Sequence, residues 1–175
     1  MHGNSGRNVD TAGNQTTTMS SEAAPKRVYI DGIFDMFHVG HLRALKHAKA
    51  AYPDAELVVG VVGDDIAVAY KRKPTISEAD RAELIEAYSF VHEVIVPSPL
   101  TITREYALEH KIDLIVHGFC NERDKTNFMK RHTDVMAWKP DIFEESPYTH
   151  STSTSVIMRK CHDVVVAIDA AKASE

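Results

Sequence analysis

Short apolar runs alternate with amphipathic stretches along most of this chain, and that alternation predicts its fold. Residues 27–31 read as a β-strand, and residues 41–51 carry the apolar spacing of a helix. Glu56–Val62 is almost continuously apolar, as a strand buried on both faces should be, and it stops at Gly63-Asp64-Asp65. The pattern predicts a helix over 77–90, where Ser77 precedes Glu78 and Asp80 as a cap precedes an acidic first turn. A strand follows over 92–96, ended by Pro97 and Pro99, then a helix over 103–110 and a strand over 113–116. Residues 118–152 are polar and irregular, with a short helix predicted near 124–131 and a short strand at 133–136. Residues 153–168 read as a closing helix, and 170–175 as a frayed end. Residues 1–25 hold Gly, Asn, Thr, Ser and Ala with few large apolar side chains, the composition of a disordered tail ahead of a folded domain over 26–169. Strands alternating with helices imply an α/β fold: a Rossmann-like, doubly wound parallel sheet of about five strands with helices on both faces.

Such sheets bind ligands at the carboxyl ends of their strands, at a topological switch point. Three segments should gather at that edge: Asp31–His41 after the first strand, Gly63–Asp65 after the second, and His117-Gly118 after a later one. The first, Asp31-Gly-Ile-Phe-Asp-Met-Phe-His38-Val-Gly-His41, sits where a strand hands over to a helix. Backbone N–H groups and the helix dipole favour an anion there, and imidazoles can donate to phosphate oxygens. Gly40 would let backbone approach a phosphate closely. The same pair also admits two plainer readings, a structural histidine beside an exposed one, or two metal ligands. The metal reading lacks a nearby third ligand.

Other polar groups fit a polyanion site. Lys71-Arg-Lys73-Pro74 is either a solvated basic loop or a loop that brings a lysine over a triphosphate. Ser151-Thr-Ser-Thr-Ser155 exceeds what a helix cap needs and suits a second phosphate cradle. Arg81 is a cation in a helix's first turn, either a surface residue paired with Asp80 or a phosphate-directed group. Asp31 and Asp35 flank the glycine turn, one to hold the turn and the other to meet a cationic substrate or magnesium. The net charge of −5 gives no general attraction to nucleic acid or anionic membrane. Cys120 and Cys161 form no short-spaced pair, and a reducing compartment follows. No secretory h-region or long apolar run occurs, so a cytoplasmic location is expected.

These segments together resemble the His-x-Gly-His nucleotidyltransferase superfamily, and within it the cytidylyltransferases acting on phosphocholine, phosphoethanolamine or glycerol 3-phosphate. The likeness spans about residues 27–160. Tyr88-Ser-Phe-Val-His-Glu-Val-Ile95 resembles the family's Arg-Tyr-Val-Asp-Glu-Val-Ile segment. Residues 109–118 resemble the strand that runs into its base-binding region, and Thr152-Ser-Thr-Ser155 its Ile-Ser-Thr-Ser/Thr segment. The resemblance implies in-line attack of a substrate phosphate on the α-phosphorus of CTP, with magnesium accompanying the triphosphate. It implies His38, His41 and Lys71 as the catalytic set. Nucleotide contacts would come from Gly32, Ile33, Phe34, Gly40, Arg81, His117, Gly118, Ser153, Thr154 and Ser155. Asp31 and Leu100 would meet the acceptor. It further implies a homodimer, with residues near the first turn close to the partner.

Three departures mark this chain. The family's Arg-Thr-x-Gly is here Tyr148-Thr149-His150-Ser151, so an arginine that clamps triphosphate is replaced, with His150 a partial substitute. Phe119 and Cys120 stand where acidic residues usually approach the base. Leu100 stands where phosphocholine enzymes carry tryptophan, which favours a smaller head group than a quaternary ammonium. Phosphoethanolamine is therefore the expected acceptor, then phosphocholine. Glycerol 3-phosphate, ATP as donor, or a degenerate nucleotide-binding domain are the alternatives. About fifteen residues follow Lys160 without an extended basic amphipathic face, so no stable membrane binding is expected.

Overall fold

A computed structural model describes residues 24–149 and 151–173. It is a five-stranded parallel sheet with helices on both faces. In chain order the elements are β1 (Arg27–Gly32), α1 (Val39–Ala51), β2 (Glu56–Val62), α2 (Asp64–Tyr70), α3 (Glu78–Glu86), β3 (Glu93–Ser98), α4 (Arg104–Glu109), β4 (Leu114–His117), α5 (Glu122–Arg131), α6 (Thr133–Trp138), β5 (Phe143–Glu145) and α7 (Thr154–Lys172). The spatial order is β3-β2-β1-β4-β5, with every pairing parallel. The strand order reverses direction at β1, so the crevice between the carboxyl ends of β1 and β4 is the switch point. The expected Rossmann-like class is what the chain adopts.

Two apolar layers cover the sheet. One packs Leu45 and Ala48 of α1 and Ala82 and Ile85 of α3 against Val28, Ile30, Leu57, Val59 and Val61. The other packs Ala107, Phe128 and Val135 against Tyr29, Val58 and Ile115. Alternate residues of β1 and β2 thus point into opposite layers, and β2 reads as unbroken apolar sequence for that reason.

Several boundaries differ from the sequence reading. The helix predicted over 77–90 ends at Glu86, because residues 87–91 turn to bring Phe90 and Val91 onto the first layer. β3 runs through Pro97 to Ser98. It is an edge strand paired only with β2, and the register shifts opposite Gly60 and Val62, so a residue without an N–H is tolerated. Residues 133–138 form helix α6 and not a strand, seated by the fully buried Val135. The fifth strand is Phe143–Glu145, paired with β4. α7 continues through Ala170 to Lys172, so the fraying expected from 170 does not begin there. The tail expected over 1–25 falls outside the described residues except for Ala24 and Pro25, as do Ser174 and Glu175.

Candidate functional site

The turn from β1 into α1 is shaped by two left-handed residues, Phe34 at φ 54° and Met36 at φ 49°. Non-glycine residues adopt this conformation only when surroundings enforce it. Here Phe34 is buried, and its ring lies beside Gly32, where a Cβ would meet Phe34 Cζ at 3.1 Å. The turn delivers His38 as the N-cap of α1. His38 Nδ1 accepts the N–H of Gly40 at 3.1 Å, and His41 Nδ1 accepts the N–H of His38 at 3.4 Å. The rings stack with centroids 3.8 Å apart. Both Nδ1 atoms are acceptors, so each neutral ring carries its proton on Nε2. The pair therefore offers two N–H donors rather than two metal-ligand lone pairs. Gly40 has a local reason as well: a Cβ there would meet His38's own ring at 2.9 Å and Thr152 Cγ2 at 3.4 Å.

Burial pushes His41 down to about 3, helped by His38 and opposed by Asp35. Burial also lowers His38. Both rings are neutral at ordinary pH. His132, buried under Phe128, is lowered by burial too. Unfolded histidines take a proton near pH 6.5, whereas these resist it when folded. Between about 6.5 and about 3 the unfolded chain binds more protons, so stability falls as pH drops through that window. The melting temperature should be lower at about pH 5 than at about pH 7.5, and His41→Asn should flatten that dependence. A melting temperature unchanged across this range would contradict it.

The hydroxyl-rich segment reaches the same turn. Ser153 caps α7, accepting the N–H of Val156 at 3.3 Å. Thr154 Oγ1 donates to the carbonyl of Asp35 at 3.0 Å. Two helix N-termini, α1 and α7, thus converge on one turn. Ser155 is exposed in the first turn of α7. Tyr148, at the place of the family's arginine, is 38% exposed, and burial raises its phenol. His150 lies outside the described residues.

Lys71 is the C-cap of α2 and is exposed. Among the described residues it has no carboxylate partner. Arg72, read from sequence as a solvated loop residue, is instead paired with Asp35, Nη2 to Oδ2 at 2.9 Å.

Arg81 corrects both sequence readings of it. It pairs not with Asp80 but with Asp64 at 2.5 Å, and only 1% of its side chain is exposed. Its Nε donates to Ile76 O and its Nη2 to Val62 O, each at 3.0 Å, and its Nη1 to Ile33 O. The guanidinium faces the chain's own carbonyls where a phosphate contact was expected. Ile33 thereby spends its carbonyl on this arginine.

Across the switch point, His117 Nδ1 lies 3.1 Å from Asp31 Oδ1. Its ring packs on Phe119 and Phe128, with centroids 5.1 and 4.5 Å away. Phe119 is buried in that layer, which explains an apolar residue where the family is acidic. Gly118 lets the strand exit pass the 146–148 segment, since a Cβ would lie 3.3 Å from Ser146 O. Leu100 is not in this group. It lines a cavity of about 520 Å³ with Asp65, Ile66, Ala69 and Tyr70. The two acceptor candidates, Asp31 and Leu100, therefore occupy different places on the edge, Asp31 near the carboxyl end of β1 and Leu100 just past β3.

Sequence reasoning undervalued Asp35 and Arg72. Asp35's spacing of three from His38 was the available signal; nothing in the sequence pairs it with Arg72.

Fold and site together define an α/β domain of the switch-point class, its crevice edged by two helix N-termini and a neutral histidine pair. Comparison with known proteins narrows this. Residues 29–161 match the family model described as cytidylyltransferase-like. The chain is 38% identical over 147 residues to choline-phosphate cytidylyltransferase 2 of Arabidopsis thaliana, covering 82% of this chain and 47% of that protein. It is 40% identical to the choline-phosphate cytidylyltransferase of Saccharomyces cerevisiae, covering 78% and 31%. It is 42% identical to an ethanolamine-phosphate cytidylyltransferase of Arabidopsis thaliana, covering 54% and 23%. Among solved structures, a lipopolysaccharide core biosynthesis protein from Thermoplasma volcanium superposes with TM-score 0.56 at 25% identity, covering 71% of this chain and 97% of that one. The chain belongs to the cytidylyltransferase-like family. It spans less than half the length of the cytidylyltransferases it matches. No described helix is long and apolar enough to cross a membrane.

Proposed function

We propose that this chain is a cytidylyltransferase domain that transfers CMP from CTP to a small phosphorylated alcohol, giving a CDP-alcohol and pyrophosphate. The convergence of the α1 and α7 N-termini at Asp35, beside two Nε2–H donors, carries the reading. That arrangement suits a triphosphate: backbone N–H groups and helix dipoles meet its charge, and neutral imidazoles donate without needing to titrate. An acceptor phosphate oxygen forms a bond to the α-phosphorus while the bond from that phosphorus to the bridging oxygen breaks, and pyrophosphate leaves. No protein group need be covalently modified, so positioning and charge stabilisation are the protein's contribution. Magnesium enters as part of the substrate, bound to the triphosphate oxygens.

For the acceptor, phosphoethanolamine is favoured. Asp31 and His117 form a polar pair that suits a primary ammonium, which needs hydrogen-bond acceptors. Phosphocholine is the second reading, and one observation favours it: Tyr70 supplies a ring to the cavity that Leu100 lines. The Arg131 guanidinium stands 5.2 Å over that ring and competes with a quaternary ammonium for it. A homodimer, with the first turn near the partner, belongs to the same proposal.

The test is pyrophosphate release with CTP or ATP and each of phosphoethanolamine, phosphocholine and glycerol 3-phosphate. Release with CTP and phosphoethanolamine above the others is expected. No release with any acceptor would sink the enzyme reading and leave a nucleotide-binding domain.

A further inference from the structure

One segment, residues 72–76, closes on the Asp35 carboxylate, and a second, at Thr154, reaches the same residue's backbone carbonyl. Asp35 is only 3% exposed. Its Oδ1 accepts the N–H groups of Thr75 at 2.9 Å and Ile76 at 3.1 Å. Its Oδ2 faces Arg72 Nη2 at 2.9 Å, and its backbone carbonyl takes the Thr154 hydroxyl. Burial alone would raise this carboxyl, but the two N–H groups and Arg72 outweigh it and hold it below the usual value. The carboxylate is therefore charged, and Arg72 is its counter-ion.

We infer that Arg72 is a positioning residue that fixes Lys71 at the nucleotide site. This rests on the nucleotidyl-transfer reading, since Lys71 has phosphate to meet only there. Residues 72–76 wrap one carboxylate, held at one end by the Arg72 side chain and at the other by two backbone N–H groups. The buried Pro74 between them stiffens the arc. Lys71 is the residue just outside it. Its own N–H is tied back to Ala67 O at 2.9 Å, so its backbone is pinned by α2 on one side and by Arg72 on the other. Its ammonium arm has no carboxylate partner among the described residues. Arg72 has an electrostatic role as well. Without it, a buried negative charge three residues from His38 would oppose a triphosphate; with it, that carboxylate is neutralised and does not oppose the anion that Lys71 would meet. A lysine at 72 would keep the charge and lose the planar fork, so it should restore function only in part.

The experiment compares Arg72→Gln, Arg72→Lys, Lys71→Ala and the Lys71→Ala/Arg72→Gln double variant. Initial rates with varied CTP should show Arg72→Gln lowering kcat/KM about tenfold, with Arg72→Lys intermediate. In the Lys71→Ala background, Arg72→Gln should cost less than about twofold further, because its effect passes through Lys71. Independently of turnover, hydrogen exchange at the Thr75 and Ile76 amides should speed at least about tenfold in Arg72→Gln. Additive losses in the double variant would show that Arg72 does not act through Lys71 and would overturn the assignment. Unchanged exchange at the two amides would overturn it whatever the rates. Absence of CTP turnover in the unaltered protein would instead strike the enzyme reading, with the exchange result still deciding the clasp.

Discussion

His41→Ala should lower kcat/KM by at least about a hundredfold while leaving a cooperatively unfolding protein. The expectation follows from how the ring is held. Its Nδ1 accepts the His38 N–H, one face stacks on the His38 ring, and Phe34 (edge to face) and Phe37 (tilted) pack around it with centroids 5.4 and 5.5 Å away. The ring is thus oriented before any ligand arrives, with Nε2–H as its remaining polar group. A donor preorganised in this way costs no reorientation when charge builds on the transferred phosphate, and losing one such donor typically costs a hundredfold or more. Because burial holds His41 near 3, the donor is a neutral imidazole across the working range, and the loss should be nearly independent of pH between about 6 and 9. His38 is the poorer test. It is also the N-cap of α1, so its removal mixes lost chemistry with about 1 kcal/mol of lost helix stability. The loss in His41→Ala should fall mainly on kcat, read from initial rates at saturating CTP, with unfolding followed in parallel. A tenfold loss or less would contradict the role.

Parts of this were legible in the sequence, for identifiable reasons. β2 reads directly because a strand buried on both faces needs an unbroken apolar run. The turn that carries His38 and His41 reads because the change from strand to helix periodicity is local. The Ser151–Ser155 run reads as able to hold a helix cap for the same reason, and the structure puts the cap at Ser153. β5 does not read: Phe143-Glu-Glu holds its place by backbone pairing with β4 at the sheet edge, where charged side chains are ordinary. α6 misreads as a strand because only Val135 of its six residues is deeply buried, so no helical period shows and packing against the second apolar layer decides. The same limit hides Arg72 and Arg81. Their partners are a carboxylate and several carbonyls from distant segments, and a carbonyl leaves no trace in residue identity.

That last point makes Arg81 the position where the structure most changes what a substitution should do. Arg81→Lys should destabilise the domain by on the order of 3–5 kcal/mol, a large part of the stability a domain of this size has. The guanidinium joins four pieces at the carboxyl-end edge of the sheet: the β1 turn through Ile33, the end of β2 through Val62, the approach to α3 through Ile76, and α2 through Asp64. Asp64 is itself bound into the edge. Its Oδ2 accepts the Glu78 N–H at 3.2 Å, and Glu78 Oε2 accepts the Asp64 N–H at 2.6 Å, so α2 and α3 cap each other. A lysine keeps one charge for Asp64, but a single ammonium cannot span three diverging carbonyls, and those left behind are buried without partners. Equilibrium denaturant unfolding of Arg81→Lys, with CTP affinity measured on the folded protein, separates the two roles of this residue. A large drop in stability with near-normal affinity is expected. A variant as stable as the parent that no longer binds CTP would show that the side chain turns outward to phosphate after all.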